Sequence, residues 1–263
     1  GGPKSIVLAG VHGNERQAVR FFEDLISSFQ IERGSVVLAY GNPEAILQGV
    51  RQIDQNLNRM FRPEKEFSEA EKSSYEFIRA NELKPLLDDS EVLLDLHGTR
   101  NPVTTPFAIG EANSLGIIDY LPVETVVSGF DEIEPGGADY HMNRNGKVGI
   151  CLEAGFNEDP ETYLRTRDAF WAFLARRGHV GQEVVKRRQN YFRLFSLYKT
   201  ETNFTRAKQY IDFETIDEGQ VLGTDGEKQV NADTSGIILF ANRDIQTSGE
   251  EAFILAKQTP ALV

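Results

Sequence analysis

Ser5-Ile6-Val7-Leu8-Ala9-Gly10-Val11-His12-Gly13-Asn14-Glu15 runs from a short apolar segment into a histidine and a glutamate three residues apart. An apolar run of this length, closed by glycine, reads as a buried strand. Behind it, Ala18, Phe21, Phe22, Leu25, Ile26 and Phe29 fall at helical spacing, which predicts a helix over 15–29. The pair therefore sits where a strand turns into a helix. On a first helical turn, positions i and i+3 share a face, so the imidazole and the carboxylate converge on one point. That is half of a tetrahedral metal site. The rest must come from elsewhere in the chain and from water.

Working outward, further strands are expected at Ser35–Tyr40, Glu91–Leu96, Thr125–Ser128 and Val148–Leu152, rich enough in Val, Ile and Leu to be buried on both faces. Alternation with helical patterns gives an α/β fold with a parallel or mixed sheet. Ser68 with Glu71 three residues on forms a capping box that opens a second helix, expected to bury Ala70, Phe77 and Ile78. Asp159, Pro160 and Gly178 bracket a third, with Tyr163, Phe170, Trp171 and Leu174 inward. Beyond Gly178–Arg188 the pattern changes to short alternating segments (Tyr191–Leu197, Ala207–Phe213, Gly236–Ala241) between turns such as Gly223-Thr224-Asp225-Gly226. We expect residues 1–185 to form the main domain and 186–263 a small all-β domain, a barrel or sandwich.

The 263 residues carry a net charge of −12, which repels phosphates and argues against nucleic acid or an anionic membrane as partner. No apolar stretch reaches the ~20 residues of a membrane span. The single cysteine, Cys151, excludes an internal disulfide framework and fits a reducing, cytoplasmic compartment. An anionic substrate would require a local group of arginines.

The missing metal ligand has a candidate. Val92-Leu93-Leu94-Asp95-Leu96-His97-Gly98 is a buried strand ending in His97, and ligands bind beyond the carboxyl ends of such strands. Asp95 shares strand parity with His97 and is placed to orient an imidazole. His141 is a pocket-lining candidate without a metal role, and His179 is expected to be exposed. The polar stretch Arg51-Gln52-Ile53-Asp54-Gln55-Asn56-Leu57-Asn58-Arg59-Met60-Phe61 reads as a structured loop whose Arg51 and Arg59 can fork onto a carboxylate, with Asn58 as a neutral donor. In Val148-Gly149-Ile150-Cys151-Leu152-Glu153-Ala154-Gly155, the acid at a strand end suits proton transfer to and from a hydrolytic water. Cys151 shares its parity, and is expected to pack.

On four ordered segments, Gly10–Glu15, Asp54–Phe61, Asp95–Gly98 and Leu152–Gly155, the chain resembles the succinylglutamate desuccinylase/aspartoacylase family of zinc carboxypeptidase-like hydrolases. The resemblance implies a carboxypeptidase-like mixed sheet flanked by helices, followed by a small β-rich domain. It implies one Zn2+ per chain held by His12, Glu15 and His97, with Glu153 as general acid/base and Arg51 beside the scissile carbonyl. Asn58 and Arg59 would hold the substrate carboxylate, with Arg144 and Tyr140 also contacting substrate. The stretch 242–249 has no counterpart of the tyrosine that aspartoacylases carry there, so the resemblance does not extend to N-acetylaspartate specificity. Glu218–Gly223 resembles biotinyl/lipoyl-type domains, without a modifiable lysine motif. The expected activity is zinc-dependent hydrolysis of a small anionic N-acyl amino acid amide. Alternatives are a metallocarboxypeptidase or peptide amidase, and a non-catalytic binding module on the same fold. Monomer or homo-oligomer is left open.

Overall fold

The computed structural model describes every residue except Asn242 and Arg243. The N-terminal part contains β1 (Lys4–Ala9), α1 (Arg16–Leu25), β2 (Ser35–Tyr40), α2 (Pro43–Gln48), α3 (Glu69–Lys72), α4 (Tyr75–Asp89), β3 (Val92–Thr99) and β4 (Phe107–Gly110). It continues with β5 (Thr125–Ser128), α5 (Phe130–Ile133), α6 (Ala138–Arg144), β6 (Val148–Phe156) and α7 (Pro160–Arg176). Strands alone follow: β7 (Asn190–Lys199), β8 (Phe204–Arg206), β9 (Glu214–Ile216), β10 (Val221–Asp225), β11 (Lys228–Asn231), β12 (Gly236–Leu239) and β13 (Glu251–Thr259).

The main sheet has the order β2-β1-β3-β6-β4-β5-β7-β13-β12-β9. β2, β1, β3 and β6 are parallel, β4 runs antiparallel to β6, and β5 pairs in parallel with both β4 and β7. Residues 181–189 have no regular structure, but the sheet does not stop there. β7 and β13 carry it onward as one hydrogen-bonded surface, with β8, β10 and β11 forming a separate three-stranded sheet.

Strand alternation sorts the core. Val7, Ala9, Leu94, Leu96, Ile150 and Leu152 face α1 and α7, where Phe21, Phe22, Phe170 and Phe173 meet them. Ile6, Leu8 and Leu93 face α4 and α6. Asp95, His97, Cys151 and Glu153 have the parity of this second face; the first three are buried there and Glu153 is partly buried. Each large apolar side chain so buried contributes about 1.5–3 kcal/mol.

Several expectations change. The first helix begins at Arg16 and stops at Leu25. The Ser68–Glu71 capping box forms, but it closes only the single turn of α3. A second cap, Ser74 accepting from the Phe77 N–H, starts α4. α4 buries Phe77, Ala80, Leu83 and Leu87, leaving Ile78 and Ala70 exposed. Residues 207–213 are not a strand. Gly223-Thr224-Asp225 lies inside β10, and Asp225 is buried as a hub. Its carboxylate accepts from Tyr198 Oη, Thr200 Oγ1, Thr202 Oγ1 and the backbone N–H groups of Glu201, Thr202 and Asn203. Asp159 caps α7 as expected.

Candidate metal and active site

His12 and Glu15 do not share a helical turn. Gly10, at φ 68°, bends the chain out of β1, and Glu15 N–H donates to the His12 carbonyl at 3.1 Å, closing a reverse turn. Glu15 then stands at the N-cap of α1. Gly13 lets this turn press against α2, because a Cβ there would lie 2.1 Å from the Ala45 carbonyl carbon. A tight turn thus does what a helical face was expected to do.

One oxygen of Glu15 lies 2.8 Å from His12 Nδ1, and the other 3.0 Å from His97 Nδ1. All three side chains are buried, and one ligand atom from each falls within 4.8 Å of the others. The outer nitrogens face acceptors. His12 Nε2 is 3.0 Å from Asn56 Oδ1, and His97 Nε2 is 3.1 Å from Asp95 Oδ2. The Asn56 acceptor on His12 Nε2 favours the tautomer that leaves an Nδ1 lone pair pointing inward, as metal-ligating histidines require, and the Asp95 carboxylate beside His97 Nε2 favours the same arrangement by charge, without a formed hydrogen bond. Two imidazoles and a carboxylate, with room for a fourth ligand, fit a catalytic zinc-type ion. Burial pushes the Glu15 carboxyl up, but the two histidines outweigh it and hold Glu15 well below the ordinary carboxylate range.

Register carries the rest of the site across the sheet. His97 on β3 pairs with Glu153 on β6, and Glu153 pairs with Phe107 on β4. In the next row Asp95 pairs with Cys151, and Cys151 with Ile109. Adjacent strands lie about 4.8 Å apart, so Glu153 stands one strand from the His97 ligand. Burial raises Glu153 to about 7, with the Glu15 charge adding to the rise and His97 and Arg51 opposing it. A carboxyl that changes protonation near neutrality suits general acid/base work. Burial likewise pushes the Cys151 thiol well up, which suits packing and not nucleophilic attack.

His12, Glu15, Cys151 and Glu153 open into a cavity of about 540 Å³ that also reaches Arg51, Asn58, Arg59, Arg100, Asp131, Glu134, Tyr140 and Glu251. Arg51 is half-exposed, with a guanidinium nitrogen 3.5 Å from Glu15. Arg59 is clasped by two acids, Glu134 at 2.5 Å and Glu251 at 3.1 Å. Burial, helped by the neighbouring Glu251, pushes the Glu134 carboxyl up. Asn58 Oδ1 is buried and has no hydrogen-bond partner.

Three sequence expectations fail here. Arg144 is exposed at the end of α6 and does not line the cavity. The break at Asn145 ends the helix, so Arg144 faces solvent. His141 is outside the cavity as well, paired with Asp88 at 2.8 Å. His179 is fully buried, bonded to the Arg33 carbonyl and Ser5 Oγ at 2.9 and 2.8 Å. The 242–249 stretch, where a tyrosine was sought, includes the two residues outside the description.

Other contributors have no local signal. Glu76, buried in α4, accepts from the backbone N–H groups of Ile53, Asp54 and Gln55 and from Asn42 Nδ2. It thereby fixes the loop that bears Arg51, Asn56, Asn58 and Arg59. Glu134 and Glu251 come from separate elements and meet only in the fold. Phe240 lines the cavity with φ 59°, a left-handed conformation that costs a bulky residue of order 1–3 kcal/mol. Asp212 Oδ1 accepts its N–H at 2.8 Å and holds it there.

Residues 1–167 match the family model described as the succinylglutamate desuccinylase/aspartoacylase catalytic domain. Among curated relatives, an N-acyl-aromatic-L-amino acid amidohydrolase (carboxylate-forming) from Xenopus tropicalis is 32% identical over 57% of this chain and 53% of its own length. A succinylglutamate desuccinylase from Pseudomonas putida is 37% identical over 30% of this chain and 24% of its own. The chain spans about half the length of the amidohydrolases it matches. A solved structure of succinylglutamate desuccinylase from Vibrio parahaemolyticus superposes with a TM-score of 0.80 at 21% identity, covering 98% of this chain and 82% of that one. No helix among the described residues is long and apolar enough to cross a membrane.

Proposed function

The chain belongs to the succinylglutamate desuccinylase/aspartoacylase family, and from that premise we propose that it is a zinc-dependent deacylase of small N-acyl amino acids. The observation that carries this reading is the buried His12–Glu15–His97 cluster with Glu153 paired beside His97, of which His12, Glu15 and Glu153 face one cavity. His12, Glu15 and His97 would hold the ion. When bound, it would supply a Lewis acid for the amide carbonyl and acidify water.

The chain's own groups do the remainder. Glu153 accepts a proton from the attacking water and passes it to the leaving nitrogen, as a carboxyl near pKa 7 can do in both directions. Arg51 faces the carbonyl oxygen as negative charge develops on it. Asn58 and Arg59 receive the substrate's carboxylate, the half-exposed Glu251 yielding its place on the guanidinium. Anchoring at that end aligns the amide with Glu153. β13 and Phe240 bound the cavity from the C-terminal side, which favours a small amide over a peptide chain.

Zinc-loaded protein incubated with a mixed set of N-acyl amino acids and short peptides tests the reading. Free amine should appear from acyl amino acids, and Glu153→Gln should retain zinc while losing about 10²–10⁴-fold in rate. A Gln variant of wild-type activity would remove Glu153 from the mechanism.

A further inference from the structure

The two edges of the main sheet differ. β9 closes one side with three residues, Glu214–Ile216, and its leading acid pairs with Lys208. Short, charged edges resist pairing with another chain. β2 closes the other side with six residues, Ser35-Val36-Val37-Leu38-Ala39-Tyr40. It holds no charge and no proline, and its register on β1 is unbroken by any bulge. Val36 to Tyr40 are half-buried, whereas Ser5 to Ala9 on β1 are buried throughout.

Alternation fixes which backbone groups of β2 face outward. Ser35 N–H donates to the Pro3 carbonyl and Gly41 N–H to the Ala9 carbonyl, so residues 35, 37, 39 and 41 turn toward β1. Val36, Leu38 and Tyr40 turn away from it. The Tyr40 carbonyl accepts from Arg79 on α4 at 2.7 Å. The N–H and C=O groups of Val36 and Leu38 have no strand partner among the described residues. Such a row is a template for another strand.

Apolar side chains flank this row on both faces. Phe22 on α1 meets Tyr40 with ring centroids 5.9 Å apart, and Ile26, one turn on, is exposed. On the other face Arg79, Glu82 and Leu86 share a stripe of α4, and Leu86 is exposed. Charge is arranged end to end. Arg33 is exposed where β2 begins, and Glu23 stands beside Tyr40 where it ends. A strand with a positive start and a negative end complements a copy of itself running the opposite way.

We propose that β2 is a dimer edge, pairing antiparallel with β2 of a second copy of this chain about a twofold axis at Val37. Each Val36 then faces Leu38 of the other copy, and every such pair exchanges both of its N–H to C=O bonds. Val37 meets its own counterpart as a non-hydrogen-bonded pair, where β-branched side chains pack closely. A register centred on Leu38 would instead set Val36 opposite Tyr40, whose carbonyl Arg79 already occupies. Arg33 of each copy comes level with Gly41 of the other, beside Glu23. The twofold closes the contact, so a dimer forms and not a filament. No cavity-lining residue lies on β2, so both cavities stay open.

Sedimentation equilibrium of the whole chain should give twice the chain mass. Val36→Pro removes an outward N–H without touching the bonds to β1, and should return a folded monomer. Arg33→Glu should weaken association about tenfold, and adding Glu23→Arg should restore it. A damaged fold would not be rescued by the second reversal. Oxidation of Val37→Cys should give a covalent dimer, because Cα atoms about 4.5 Å apart lie within disulfide range. Val36→Cys, which faces Leu38, should cross-link far more slowly, and the buried native Cys151 should not contribute. A wild type that stays monomeric at every concentration overturns the inference. So does a dimer unmoved by Val36→Pro and Arg33→Glu, or one that cross-links through position 36 as readily as through 37.

Discussion

Glu76→Gln isolates the device that holds the substrate loop. In wild type, Glu76 Oε1 accepts from Ile53 N at 2.7 Å and Asn42 Nδ2 at 3.0 Å, while Oε2 accepts from Asp54 N at 3.0 Å and Gln55 N at 2.9 Å. Four donors and no acceptors suit an ionised carboxylate. Glutamine keeps one acceptor oxygen and turns an NH2 group toward the other two donors, so two bonds are lost. Bonds to charged groups contribute about 1.5–3 kcal/mol each, which gives about 3–6 kcal/mol. Asp54 and Gln55 are exposed and can turn to water, so the lower end, about 3 kcal/mol, is expected. That is a large share of the roughly 5–15 kcal/mol that stabilises a typical domain. Urea unfolding of metal-free protein measures the loss, and hydrogen exchange should show amides 53–55 opening before the core. Because the loop also bears Asn56, which holds His12 Nε2, zinc affinity should fall as well. A variant within about 0.5 kcal/mol of wild type, with those amides still protected, would refute the role given to Glu76.

Two other substitutions separate positioning from stability. Asp95→Asn weakens the support of His97 Nε2, and zinc affinity measured by competition with a chelator should drop about 10–100-fold. Unchanged affinity would show that the 3.1 Å approach does not matter. At Asp225, burial pushes the carboxyl up, but its many hydrogen bonds outweigh that and hold it well below the ordinary range. Because the folded value is depressed, the stabilisation is present above the unfolded value near 4 and is lost as pH falls through the lower folded one. Asp225→Asn should therefore be less stable by about 2–3 kcal/mol at pH 7, and its deficit should narrow in acid. Denaturant midpoints that keep a constant gap between pH 7 and strongly acid solution would contradict this.

Much of the site is legible one segment at a time. Short-range rules suffice where a feature is closed within a few residues. The apolar run of β1, the Asp159–Pro160 cap and the histidine at the end of β3 are of this kind. The His12–Glu15 pair is legible too, although a reverse turn rather than a helix brings it together. Errors arise where neighbours distant in sequence decide. Arg144 matches a family position but ends a helix that stops in solvent, and His179 looks terminal yet is buried under Ser5 and Arg33. The basic appearance of Arg51 and Arg59 did not disclose that Glu134 and Glu251 converge on the second arginine.

By itself the sequence determined the α/β class, the His–Glu–His set and the acid beside it, because strand polarity and turn chemistry are local. Tertiary structure alone decided which side chains share a row and a cavity. Pairing β3 with β6 and β6 with β4 sets Glu153 between His97 and an aromatic wall. Extending the sheet through β7 and β13 brings Glu251 to Arg59 across 192 positions. Such contacts depend on register and sheet order, which no local pattern encodes, and they determine how much charge and how much apolar surface a substrate meets.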